Sequence, residues 1–247
     1  MPDLLPCKWH MDEDEWYATT LAHWTNEVSA DGNDGVLGGW AEVDEEDARG
    51  SLEFIQDCIG TPPELWPISG LRALDCGAGV GRVTGSVLIR VAERVHLVEV
   101  SQSLLSKASK ELAEHSSRLE LEQCSLREFA PPPGSYDLVW AQWVLGHLTD
   151  TDFVGLLNRC RKALRPGGAV VIKDNAATPS QCDQGSGRYL LDEENAAVIR
   201  SHAHVRALCK LAGLKLLKSK VQENFPEDLH IVRMYWFGDA GADIGVS

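Results

Sequence analysis

A chain of 247 residues, 44% hydrophobic and 24% charged, is long enough to bury one ample core and has the composition of an ordinary globular protein. Its formal charge of −14 argues against a nucleic-acid surface, because neutralising phosphates takes basic clusters, and an acidic surface suits cationic partners instead. No apolar stretch reaches the roughly 18 residues needed to span a bilayer, so no membrane association is expected.

From the amino end, Tyr17, Leu21, Trp24 and Val28 fall on one face of a helix. A turn follows at Asn33-Asp34-Gly35, then Gly38-Gly39, and a second helix from about Asp44 carries Ala48, Leu52, Ile55 and Ile59 inward. Gly60-Thr61-Pro62-Pro63, with Pro67 and Gly70, reads as a linker, so residues 1–67 form a helical extension. The core, 68–238, alternates strand and helix. Leu71–Cys76 is a strand, Arg82–Ala92 a helix, and Val95–Val100 a strand. Ser101 can cap a helix that buries Leu104, Leu105, Ala108 and Leu112. Strands follow at Leu119–Cys124 and Tyr136–Gln142. Asp150 can cap a helix carrying Phe153, Leu157, Cys160 and Leu164, closed by Arg165-Pro166-Gly167-Gly168, and Ala169–Lys173 is a fifth strand. After a helix ending at Gly213, the runs Leu214–Val221 and Leu229–Phe237 form a terminal antiparallel pair, and 239–247 is a small, polar tail.

This pattern predicts an α/β fold: a Rossmann-like, doubly wound, mainly parallel seven-stranded sheet with a terminal antiparallel hairpin and an amino-terminal helical extension. The first ten residues lack the basic start and apolar run of a secretory signal. Seven cysteines without a C-x-x-C pair fit reduced thiols in cytosol or nucleus, and no metal site is expected.

The strand Leu71–Cys76 runs into Gly77-Ala78-Gly79-Val80-Gly81-Arg82, where glycines allow a tight turn and close approach of a ligand. The next strand reaches Glu99, 24 positions after Asp75, a carboxylate placed for both ribose hydroxyls. A dinucleotide site shares these features, but its fingerprint needs a small residue where this chain has Arg82. The form D-x-G-x-G-x-G from Asp75 resembles instead the first motif of Rossmann-like methyltransferases, which implies S-adenosylmethionine and leaves Arg82 to pair with that cofactor's carboxylate.

The run from Tyr136 to Asp150, with Gln142-Trp143-Val144-Leu145-Gly146-His147-Leu148 at its centre, closely resembles the eukaryotic N-terminal X-Pro-Lys protein methyltransferases. So do Leu164-Arg165-Pro166-Gly167-Gly168 leading into Lys173-Asp174-Asn175, Asp34 to Gly39, and Gln222 to Pro226. The resemblance implies methylation of the free α-amine of protein N-termini of X-Pro-Lys or X-Pro-Arg type. Carried over by position, it implies cofactor contacts at Gly77, Gly79, Arg82, Glu99, Val100, Ser101, Leu126, Arg127 and Gln142. Substrate contacts are implied at Leu37, Gly38, Trp143, Asn175, Asp192 and His230. His147 falls on a position implicated in taking the amine's proton.

Elementary chemistry suits these roles. An α-amine with pKa about 7.7–8.0 is neutralised at pH 7 for about 1 kcal/mol, against about 4 to 5 kcal/mol for a lysine near 10.4. A modest base such as His147 therefore suffices. Trp143 offers a π face to a cationic peptide end, Asp192 attracts the basic third residue, and Asn175 can fix the peptide's direction. Three departures stand out. Asn195 occupies the place of a second catalytic-site carboxylate and cannot act as a base, leaving neighbouring Glu193 or Glu194, or His147 alone. The segment from Ala176 to Tyr189, with Gly185-Ser186-Gly187, is longer than usual, either a lid or an exposed insertion. Arg127 replaces a more usual glutamine beside the adenine. The competing readings are a methyltransferase for another amine, small or side-chain, and a non-catalytic peptide-binding module that keeps the cofactor pocket.

Overall fold

The computed structural model describes residues 12–30, 32–182, 187–192 and 197–241. Among them the strands are β1 (Ile68–Cys76), β2 (Ala92–Glu99), β3 (Leu119–Gln123), β4 (Tyr136–Gln142), β5 (Leu164–Asn175), β6 (Tyr189–Asp192), β7 (Ala197–Arg200), β8 (Leu214–Val221) and β9 (Val232–Asp239). The helices are α1 (Glu13–Ala22), α2 (Asp44–Ile59), α3 (Ile89–Val91), α4 (Gln102–Glu111), α5 (Asp150–Ala163) and α6 (His202–Leu211).

Seven strands form one sheet in the order β3-β2-β1-β4-β5-β9-β8. The first five run parallel, β9 lies antiparallel on β5, and β8 antiparallel on β9. Strands buried on both faces are apolar along most of their length. Accordingly Leu74, Cys76, Val139, Val170 and Ile172 pack on Phe153, Leu157, Leu208 and Cys209 of α5 and α6. On the other face Ala73, Leu97, Trp140 and Val171 meet Phe54, Ile55, Val87 and Ala108. Strand order reverses between β1 and β4, so the carboxyl ends of these neighbours open a crevice, the place where doubly wound sheets hold ligands.

Several local expectations are corrected. Helix α5 is capped by Thr149, whose Oγ1 accepts from the Asp152 amide at 3.2 Å, and Asp150 turns inward to a buried cation. Ser101 stands at the start of α4 without accepting a capping hydrogen bond; its hydroxyl meets Ser103 at 2.9 Å. The segment 82–92 is not one regular helix: a π turn, Thr84–Leu88, leads into the short α3, and Ala92 already starts β2. The run read as a linker pairs earlier, since β1 starts at Ile68. Helix α1 stops at Ala22 and passes into a second π turn, His23–Glu27, so Val28 lies beyond the helical face. Its buried anchor is Trp16, while Leu21 is 47% exposed. The antiparallel hairpin β6–β7 lies within the segment that sequence periodicity leaves without structure. Of the long insertion, Gly185 and Ser186 lie outside the described residues, as do Glu193, Glu194, Asn195 and the tail beyond Gly241.

Candidate active site

Two cavities open at the crevice and share four lining residues, Trp24, Val36, Trp143 and His147. The first, about 270 Å³, is floored by the loop after β1 and by the end of β2. Gly77 adopts φ 72°, and a Cβ there would meet Val144 Cγ2 at 2.4 Å. Gly79 has φ 55°, and a Cβ on it would project towards Val36 on the cavity wall. Glycine accepts these angles more readily than other residues, and at Gly77 only glycine leaves the space. The amides of Gly77 and Ala78 bond back to the Val98 carbonyl, at 2.8 and 3.1 Å, which ties the loop to β2. Glu99 accepts from the amides of Gly79 and Ser101, both at 2.9 Å. Burial nonetheless pushes its carboxyl above the ordinary value against those bonds. Behind the loop Asp75 is fully buried, accepts from Thr84 Oγ1 at 2.7 Å, and is raised by burial to about 6.

Gly77, Gly79, Arg82, Glu99, Val100, Leu126, Arg127 and Gln142 all line this first cavity. Ser101 does not; it stands behind the wall and contributes its amide to Glu99. The expectation that Arg82 is reserved for a ligand carboxylate is modified by what it touches. Its Nη1 donates to Asp44 and to Asp47, each at 2.8 Å, and its guanidinium lies 5.3 Å over the Trp143 ring. Arg127 is likewise engaged: it stacks 3.8 Å over Tyr17 and pairs with Asp152 and Glu13, which joins α1 to the rim.

The second cavity, about 360 Å³, collects Leu37, Gly38, Trp143, His147, Asn175 and His230. Asp192 does not line it; it ends β6, opposite Ala197, while Ala197, Val198 and Ile199 of β7 do line it. Trp143 has φ 51°, rare for a bulky residue, and this left-handed step turns the chain away from β4. Its Nε1 donates to Asn175 Oδ1 at 3.3 Å. His147 ends a 3₁₀ turn, Leu145–His147. The turn is held by carbonyl acceptors: Arg200 donates to Leu145 O at 2.8 Å and to Leu148 O at 2.5 Å, and Trp16 Nε1 to His147 O at 3.0 Å. Arg200 is itself fixed by Asp150 at 2.8 Å, whose other oxygen meets His204 at 2.6 Å.

Two features escape sequence reasoning because burial by residues far apart in the chain decides them. Asp47 of α2, wholly buried, accepts from Arg82 Nη1 and Gln142 Nε2 at 2.8 Å and meets Lys173 at 2.6 Å. Burial raises this carboxyl, but Lys173 and Arg82 more than offset that and hold it below its ordinary value. Lys173, lowered by burial to about 8, also donates to Ser51 and Gln222. Gly50 makes room for that amide, since a Cβ would strike Gln222 Oε1 at 2.4 Å. The second is Asp174 on the wall of the second cavity, half-buried by area yet enclosed, with its carboxyl raised by burial to about 7. The one local hint of the Asp47 cluster is the run of acids that opens α2, from Asp44 to Asp47.

A doubly wound sheet with this glycine cradle, a buried acid at the end of β2 and a second cavity meeting the first defines an S-adenosylmethionine-dependent methyltransferase. Residues 12–237 match the family described as AdoMet dependent proline di-methyltransferases, and the chain belongs to it. It is 38% identical over 222 residues to the N-terminal Xaa-Pro-Lys N-methyltransferase 1 of Xenopus tropicalis, covering 90% of this chain and 94% of that one. It is 39% identical over 225 residues to the alpha N-terminal protein methyltransferase 1 of Dictyostelium discoideum, covering 90% and 79%. A solved SAM-dependent methyltransferase from Leishmania major superposes with a TM-score of 0.79 at 34% identity, covering 92% of this chain and 85% of that one.

Proposed function

We propose that this methyltransferase acts on the free α-amine of protein N-termini of X-Pro-Lys or X-Pro-Arg type. The observation that carries this reading is the meeting of the two cavities at Trp143, His147, Trp24 and Val36. The cofactor, seated in the first cavity, supplies an electrophilic methyl group on a sulfonium. There Glu99 would hold the ribose hydroxyls, the glycine loop would permit close approach, and Leu126 and Val100, which line the cavity, would offer the adenine an apolar slot. Arg82, with one nitrogen spent on Asp44 and Asp47, presents its remaining edge to a carboxylate.

The peptide enters by the second cavity. A chain end whose first residue is small, followed by proline, is slim and extended, and suits a slot walled by Leu37, Gly38 and Val198. Trp143 supplies a π face to the ammonium, and Asn175 supplies an amide to the peptide backbone. His147 lies where the cavities join and takes the amine's proton, the step that exposes the nitrogen lone pair. Asp174, a carboxyl that titrates near neutrality on the same wall, favours a cationic substrate when ionised. Asp192 flanks this cavity on the hairpin and is assigned to the basic third residue.

A peptide beginning Ser-Pro-Lys should be methylated when its amine is free and inert when that amine is acetylated, as read by mass shift after incubation with cofactor. Equal labelling of both forms removes the α-amine as acceptor.

A further inference from the structure

Helix α1 does not simply fray. It ends in the π turn His23–Glu27, closed by the Val28 amide on the His23 carbonyl at 3.0 Å. Single π turns recur at functional sites, where the extra residue re-aims side chains. Here the turn sets His23 and Trp24 together on the wall of the second cavity. Trp24 stands edge-on to both imidazoles, its ring centre 5.3 Å from His23 and 5.3 Å from His147. The two imidazole centres are 6.5 Å apart, with planes inclined by 32°. Both imidazoles thus face the same cavity, with Trp24 against each of them.

Glu27 Oε2 lies 3.1 Å from His23 Nδ1. A carboxylate there accepts the Nδ1 proton, so the tautomer leaves the lone pair on Nε2. The outer end of this pair is wet: the Glu27 side chain is 68% exposed and that of His23 is 23%. Among the described residues, the other ionisable groups lining this cavity are His147, Asp174 and His230.

We propose that His23, oriented by Glu27, is a second proton carrier of the peptide cavity and returns to solvent the proton that His147 takes from the substrate amine. The proposal rests on the reading of His147 as first acceptor. For each methyl added, one N–H bond of the substrate ammonium breaks as an N–H bond forms on His147. That proton passes through water to Nε2 of His23 and then to bulk solvent, leaving both imidazoles neutral for another round. Several methyls on one amine require several such rounds, so a blocked exit slows later additions more than the first.

The test compares wild type with His23→Ala, Glu27→Gln and His147→Ala on a Ser-Pro-Lys peptide, reading kcat, KM, cofactor affinity, pH profile and the spread of mono-, di- and trimethyl products. His23→Ala should lower kcat about 10-fold with peptide KM and cofactor affinity within about twofold, shift products towards monomethyl, and recover activity when imidazole is added to the buffer. Glu27→Gln should show a smaller loss, about threefold, in the same direction. Unchanged kcat and product spread in His23→Ala, or a loss that imidazole does not restore, overturns the proposal while leaving His147 in place. Wild-type kcat and pH profile in His147→Ala would instead remove the first acceptor, and the exit with it.

Discussion

Gly77 shows how much rests on the absence of one carbon. Its φ is 72°, and a Cβ added there would stand 2.4 Å from Val144, so alanine must either strain the loop or push Val144 into the cavity. Gly77→Ala should therefore weaken cofactor binding by about tenfold or more, measured by calorimetry, while peptide affinity changes little. Undiminished cofactor affinity would show that Val144 relaxes at no cost. The glycine loop and Glu99 are legible in the sequence because each sits in a local motif whose chemistry is carried by neighbours in the chain, while His147 is reached only through the resemblance of the run around it. Asp47 and Asp174 are not, because what makes them unusual is burial against Lys173, Arg82 and the hairpin, none of which a local pattern encodes. Asp150 resembles a side-chain cap for the same reason: the sequence shows a suitable type at a suitable place, and the competing partner, Arg200, is remote in the chain.

At the scale of elements, the β6–β7 hairpin is a structural part of the site. Arg200 reaches from β7 to the carbonyls that bracket His147, and the carbonyl of Val198 lies 3.2 Å from where a Cβ on Gly146 would stand. The hairpin escapes sequence reading because its strands are four residues each, too short for periodicity to register, whereas β4 and β5 announce themselves by the apolar runs Leu138–Ala141 and Ala169–Ile172. Arg200→Met leaves Asp150 buried without its cation. It should cost about 3 to 5 kcal/mol in urea unfolding and lower kcat more than it weakens cofactor binding. A loss under about 1 kcal/mol would mean that His204 alone satisfies Asp150.

For the whole molecule, two buried carboxyls set a pH dependence. Asp75 and Asp174 are raised by burial to about 6 and about 7, so each holds its proton more tightly folded than unfolded. Their contribution to stability is full below about 4, the unfolded value, and is lost as pH rises through about 6 to 7. Asp47, held low by Lys173, acts in the opposite sense under acid, so the informative quantity is a difference between variants. Asp174→Asn should flatten the stability profile between about pH 4 and 7, by on the order of 3 kcal/mol relative to wild type. Parallel profiles for the two proteins would show that Asp174 titrates at its ordinary value.

That this chain joins an S-adenosylmethionine cavity to a slot for a peptide's first residues is tested most directly by fragment-ion mass spectrometry of a Ser-Pro-Lys peptide after incubation with enzyme and cofactor. The account predicts one or more methyl units on the α-nitrogen of the first residue and none on the lysine side chain, whose deprotonation costs about 4 to 5 kcal/mol at pH 7. Methyl groups found on the lysine nitrogen, with the terminal amine unmodified, would contradict it.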